Sequence, residues 1–180
     1  VLVIGGTRFM GVQLVKELIA LGNDVTIATR GLNRDNFGMY VNRLVIDVSN
    51  ETSVKAALSG KYFDVVFDNL AYYSQYVNNV LSHVKCGKYI QLSSVEAYEY
   101  LIPDMKEEYF NPYKLHVEIR SVTADYIKGK RLAEAIAYQH FKNLSVTTVR
   151  IPYVTKTDRL FYYCKNIVNQ DAMNIDDVSR

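Results

Sequence analysis

Three observations predict an α/β fold: a doubly wound parallel sheet of six or seven strands with helices on both faces. Short β-rich apolar runs alternate with longer helical stripes along most of the chain. The first run opens straight into a glycine-rich turn and a helix. Strands separated by helices of this length imply right-handed crossovers and a parallel sheet.

The elements follow in order. Val1–Ile4 reads as the first strand. From Gly11 to Gly22, Leu14, Val15, Leu18, Ile19 and Leu21 form a wide helical stripe, and Gly22 is a natural stop. Val25–Thr29 and Arg43–Asp47 read as strands, and Asn50–Leu58 as a helix capped by Asn50 or Ser49, with Gly60 after its end. Strand Val65–Asp68, helix Ser74–Val84, strand Tyr89–Ser93, helix Ala124–Phe141 and strand Val146–Arg150 complete the pattern. Between Glu99 and Thr123 no period holds; with Pro103, Pro112 and the pair Glu107-Glu108, this stretch reads as a loop or lid over the C-terminal edge of the sheet. Residues 1–158 are expected to form one domain. Residues 159–180 carry a helical stripe of Leu160, Tyr163, Cys164 and Ile167 that something must cover, so the chain is expected to end before its fold does.

Composition narrows the class. The chain has 180 residues, ordinary globular proportions and a net charge of +2, too small to imply a nucleic-acid or membrane partner. Cys86 and Cys164 have no CxxC partner and read as free thiols in a reducing compartment. No apolar run reaches the length of a membrane span, and no basic-then-apolar leader precedes the first strand, which makes the cytoplasm the expected location. His83, His116 and His140 show no metal-ligand spacing, and no metal is expected.

The first turn carries the clearest chemistry. Gly5-Gly6-Thr7-Arg8-Phe9-Met10-Gly11 lies between a strand and an amphipathic helix. Small residues let the chain turn tightly and bring its backbone close to a pyrophosphate, which then sits at the positive end of the helix. The turn resembles the GxxGxxG motif of the extended short-chain dehydrogenases/reductases, the NAD(P)-dependent epimerase/dehydratase superfamily, whose fold is Rossmann-type. It departs from the pattern at Arg8, where the family has its central glycine. The GGTRFxG form is similar to an atypical branch that includes the chloroplast stem-loop-binding proteins. Gly5, Thr7, Arg8, Phe9, Met10 and Gly11 are the candidate pyrophosphate contacts; Arg8 either reaches a cofactor phosphate or crowds it.

The second strand ends in Ala28-Thr29-Arg30 rather than in an acid, and a guanidinium there suits a 2′-phosphate, which favours NADP with NAD as second choice. By the same resemblance, Asp47 and Val48 would contact the adenine, Leu70 and Ala71 the adenosine ribose, and Pro152 and Val154 the nicotinamide.

Ser93-Ser94-Val95-Glu96-Ala97-Tyr98 resembles the family's SSxxxY segment, which makes Ser94 a substrate contact. Tyr126-Ile-Lys-Gly-Lys130 matches YxxxK: one helical turn puts both side chains on one face, and the ammonium favours the phenolate. With 15 tyrosines and 12 lysines, chance alone predicts about one such spacing, and the chain has two, Tyr126/Lys130 and Tyr138/Lys142. The run through Glu134 resembles the family's YxxxKxxxE, which selects Tyr126 and Lys130; Tyr138 and Lys142 are left a surface or dimer role. The family's further asparagine has no secure match, since Asn78 and Asn79 fall a turn late.

The resemblance implies an NAD(P)-binding domain over residues 1–158, the start of a C-terminal substrate-binding region over residues 159–180, and an NAD(P)-dependent epimerase/dehydratase or reductase with Tyr126 as general acid/base. Its substrate would be a small molecule, such as a nucleotide sugar or another hydroxyl/carbonyl compound. It also implies a homodimer paired through the third and fourth helices. The competing readings are an RNA-binding protein of the stem-loop-binding type and an NADP-sensing regulator without turnover.

Overall fold

The computed structural model describes residues 1–98, 104–117, 119, 121–152 and 154, and the backbone of 155 and 173–174. The expected helical stripe of residues 160–167 and the rest of the region 159–180 lie outside these, apart from the backbone pair 173–174.

Six strands form one sheet: β1 (Leu2–Ile4), β2 (Val25–Thr29), β3 (Val41–Val45), β4 (Tyr62–Asp68), β5 (Lys85–Ser94) and β6 (Ser145–Ile151). Their spatial order is β3-β2-β1-β4-β5-β6, and every pairing is parallel. The order reverses between β1 and β4, so the crevice of a doubly wound sheet opens at the C-terminal ends of these two strands. A separate two-stranded pair joins β7 (Val154–Thr155) to β8 (Met173–Asn174).

The helices are α1 (Met10–Ala20), α2 (Glu51–Leu58), α3 (Ser74–His83) and α4 (Tyr126–His140). Alternation along β1 sorts the two cores: Leu2 and Ile4 pack with Val54, Val77, Val80 and Ile136 of α2, α3 and α4, whereas Val3 packs with Val15 and Leu18 of α1. Helix α1 ends as its sequence predicts. Gly22 has φ +77°, Asn23 N–H donates to Leu18 O and Gly22 N–H to Ile19 O, a Schellman close. Asn50 caps α2 by accepting from Ser53 N–H, and Asp125 caps α4 by accepting from Lys128 N–H.

Strand boundaries shift where the apolar pattern fades. β3 runs Val41–Val45 rather than Arg43–Asp47, because Asp47 is drawn into a turn in which its Oδ1 accepts from Ser49 N–H and Oγ–H. β4 and β5 begin earlier than expected, at Tyr62 and Lys85, which pair with each other where the side chains face solvent.

The segment before α4 departs from the expected lid. Its described part starts near the C-terminal sheet edge, where Arg150 donates to Glu107 O and Phe110 O. It then follows α4 to the helix's far end, where Gln139 Nε2 donates to Pro112 O at 2.6 Å and Leu115 O at 2.8 Å. It returns to α3, where Ser121 N–H donates to Ser74 Oγ. Every residue from Leu132 to Ala137 is buried, which a helix lying on a sheet achieves only when its outer side is covered as well. This strap packs on the far half of α4, at Tyr138 and Gln139.

Candidate functional site

The glycine turn is built by close approach. A Cβ on Gly11 would lie 2.2 Å from Gly5 O, so only glycine lets α1 start this near β1. Gly5 has φ +83°, and a Cβ there would meet Leu70 Cγ at 2.9 Å. Phe9, at the N-cap of α1, is held at φ 51° and ψ −128°, a backbone conformation non-glycine residues seldom adopt. Unlike α2 and α4, α1 has no side-chain cap. Two of its first N–H groups bond within the turn, Gly11 N–H to Arg8 O and Val12 N–H to Phe9 O, and no acid stands in its first turn.

A cavity of about 360 Å³ opens beside this turn. It collects Gly5, Thr7 and Arg8 from the turn, Thr29 and Arg30 from the end of β2, Asp47 and Val48 from the end of β3, and Leu70 after β4. These are seven of the thirteen cofactor contacts expected from sequence, with Thr29 added. Arg8 Nη2 donates to Asn33 Oδ1 at 2.7 Å across the cavity mouth. The Ser49 hydroxyl and N–H, assisted by the Arg30 charge, hold the Asp47 carboxyl below its usual range. Asp47 thus serves both the turn and the cavity wall.

The other cofactor candidates lie elsewhere. Phe9 shapes the turn and Gly11 seats the helix. Met10 lines a different, apolar cavity of about 380 Å³ with Leu14, Phe67, Ile90, Leu92 and Val149, on the α1 face of the sheet. Ala71 is buried and offers its carbonyl to Lys130. Pro152 and Val154 line neither cavity, and Val154 is buried in β7.

The turn after β4 is fixed from beneath. Asp68 is fully buried, takes a hydrogen bond from Tyr89 Oη at 2.7 Å and accepts from Leu70 N–H at 2.8 Å. Burial raises its carboxyl above the usual range, against the pull of Tyr89, Leu70 N–H and the Lys130 charge. Asn79 is buried and donates to Val48 O at 3.0 Å, a bond between α3 and the loop after β3 that leaves it outside the catalytic group.

Ser94 closes β5 and Tyr126 opens α4, with Lys130 one turn on. Lys130 Nζ donates to Leu92 O at 2.8 Å, two residues before Ser94, and to Ala71 O at 3.1 Å. It lies 5.8 Å from the centre of the Tyr126 ring and 4.3 Å from that of Tyr72. Burial pushes the Lys130 ammonium down to about 8, with Asp68 and Glu134 opposing. Tyr126 is 45% exposed, and Ser94 Oγ accepts from Glu96 N–H at 3.2 Å. Gly129 makes this seat: a Cβ there would lie 2.6 Å from Tyr72 O. Tyr138 instead meets the ring of Tyr113 on the strap, 5.7 Å between centres.

Sequence reasoning assigned no role to Tyr72, Tyr76, Asn33 or the buried pair Glu134–Arg150. Tyr72 and Tyr76 line the cavity beside the glycine turn. The adjacency of Tyr72 to Leu70-Ala71 was the one available signal. Among the described residues, no three His, Cys, Asp or Glu side chains are grouped to hold a metal, and no helix is long and apolar enough to cross a membrane.

A six-stranded parallel sheet with a glycine turn, a first helix without a side-chain cap and a cavity beside that turn defines a Rossmann-type fold. Residues 1–82 match the model of the NAD dependent epimerase/dehydratase family, so the family resemblance seen in the sequence holds over that segment. The chloroplast stem-loop binding protein of 41 kDa b of Arabidopsis thaliana is 28% identical over 170 residues, covering 86% of this chain and 42% of that protein. The chain therefore spans about two fifths of that curated relative. Among solved structures, a UDP-galactose 4-epimerase has 19% identity and a TM-score of 0.71, with 99% of this chain and 68% of that one covered. A short-chain dehydrogenase/reductase of Veillonella parvula DSM 2008 in complex with NADP has 12% identity and a TM-score of 0.64, covering 99% and 82%. At these identities the solved structures show the fold.

Proposed function

We propose that this chain is the nucleotide-binding part of an NADP-dependent epimerase/dehydratase or reductase acting on a small hydroxyl/carbonyl substrate, such as a nucleotide sugar. The observation that carries the reading is the convergence of Gly5, Thr7, Arg8, Arg30 and Asp47 on one cavity beside a helix start without a side-chain cap. Gly5 and Gly11 let the turn pack on Leu70 and α1 start close against β1, which brings the start of the helix to the cavity's edge. Arg30 supplies the fork for a 2′-phosphate. When bound, the nicotinamide would supply or accept the hydride.

The chain's own residues do the rest. Tyr126, exposed at the start of α4, donates or takes a proton at its phenolic oxygen. Lys130 biases that oxygen toward phenolate by its nearby charge. Ser94 orients the substrate oxygen at the end of β5. Proton transfer by Tyr126 predicts that Tyr126→Phe binds NADP like the wild type but loses turnover, whereas Tyr138→Phe keeps it. Retention of turnover by Tyr126→Phe would remove it from the acid/base role.

A second reading is supported by the relative named as a stem-loop binding protein. It predicts salt-dependent RNA binding with little or no hydride chemistry. The near-neutral charge favours the enzyme. Titrating nicotinamide fluorescence and then RNA over a salt series separates the two, and NADP binding without turnover of any carbonyl substrate would identify a regulator. The cytoplasm is the location that accords with the free thiol of Cys86. A homodimer through α3 and α4 would have to displace the strap, so we propose that this face is closed to a second copy.

A further inference from the structure

An ammonium has three N–H directions, and those of Lys130 are accounted for. Two are taken by the carbonyls of Ala71 and Leu92, and Nζ lies 4.3 Å over the ring of Tyr72. Lys130 is only 2% exposed. Tyr72 has a second station: it lines the nucleotide cavity beside Gly5, Thr7 and Leu70, and its ring tilts against Tyr126 at 6.2 Å. One aromatic ring therefore bridges the cavity that takes the adenosine end and the Tyr126/Lys130 pair.

We propose that Tyr72 is a gate on the dinucleotide path, whose ring must swing off Lys130 before a ribose hydroxyl can reach the ammonium. The proposal rests on the dinucleotide reading of the cavity. The backbone of Tyr72 is clamped, because Gly129 packs against its carbonyl and Asp68 holds the turn through Leu70 N–H. The motion is thus a side-chain rotation, and Tyr72 is 37% exposed. Lifting a ring off an ammonium costs free energy, and a ligand that requires the open arrangement binds more weakly by that cost. A ligand that stops short of Lys130 does not carry it.

The test compares NADP+ with 2′,5′-ADP, which lacks the nicotinamide half, by titration calorimetry on the full chain and on Tyr72→Ala and Tyr72→Phe. Because Tyr72 also lines the adenosine end, the readout is the ratio of the two affinities: Tyr72→Ala is expected to raise the affinity for NADP+ relative to that for 2′,5′-ADP about 3- to 10-fold. Tyr72→Phe keeps the ring and should match the wild type for both. Binding of 2′,5′-ADP in the same sample reports that each variant is folded. A fall in that ratio for Tyr72→Ala would make the ring a platform for the nicotinamide half and overturn the gate, as would an unchanged ratio. If neither ligand binds any of the three proteins, the dinucleotide reading fails and the gate with it.

Discussion

Glu134 and Arg150 form a buried two-pronged ion pair, with Arg150 Nη2 2.7 Å from Glu134 Oε2 and Arg150 Nε within reach of both carboxylate oxygens. Ser93 Oγ donates to the same carboxylate at 2.5 Å, and Arg150 Nη1 donates to Tyr98 Oη at 3.0 Å. The pair thereby ties α4, β6, both ends of the Ser93–Tyr98 segment and the start of the strap into one unit.

Because removing one partner strands a buried charge, Glu134→Ala should destabilise the fold by about 3–5 kcal/mol in urea unfolding. The double change Glu134→Leu with Arg150→Met should cost less than the sum of the two single changes. Additive costs would show that the two side chains are not coupled.

Lys130 sets a pH dependence. Its ammonium titrates near 8 in the folded chain, against an ordinary value of 10.5. Between these values the unfolded chain binds the more protons, so this contribution to stability rises with pH, by about 2 kcal/mol from pH 7 to 9.5. Chemical unfolding across that range should show the rise, and Lys130→Met should flatten it. An equal slope in the variant would place the titration elsewhere.

The strap predicts the state of assembly. Light scattering at micromolar concentration should find no dimer formed through α3 and α4. Amides around Pro112–Leu115 should exchange faster in Gln139→Ala, which loses the hydrogen bonds to both carbonyls. A dimer whose cross-links map onto α3 and α4 would contradict this.

What was legible in the sequence follows from locality. Gly5, Arg30, Asp47 and Leu70 could be placed because each follows a strand directly, and parallel strands deliver their C-terminal ends to one edge. Tyr72 could not be ranked among 15 tyrosines, because its meeting with Lys130 joins residues 58 positions apart. The strap has no period to read: it is held by the Arg150 guanidinium, one glutamine amide and one serine hydroxyl acting on backbone. Met10 lies in the motif, yet the helical turn that begins there aims it at the opposite face of the sheet.

The central claim is that the cavity beside the glycine turn holds an NADP dinucleotide through Arg30. Calorimetric titration of the full chain and of Arg30→Ala with NADP+ and NAD+ tests it directly. The account predicts that the wild type prefers NADP+, and that Arg30→Ala weakens NADP+ by about 1–3 kcal/mol, the worth of a charge-assisted hydrogen bond, while leaving NAD+ nearly unchanged. Equal losses for both dinucleotides, or binding of neither by the wild type, would contradict it.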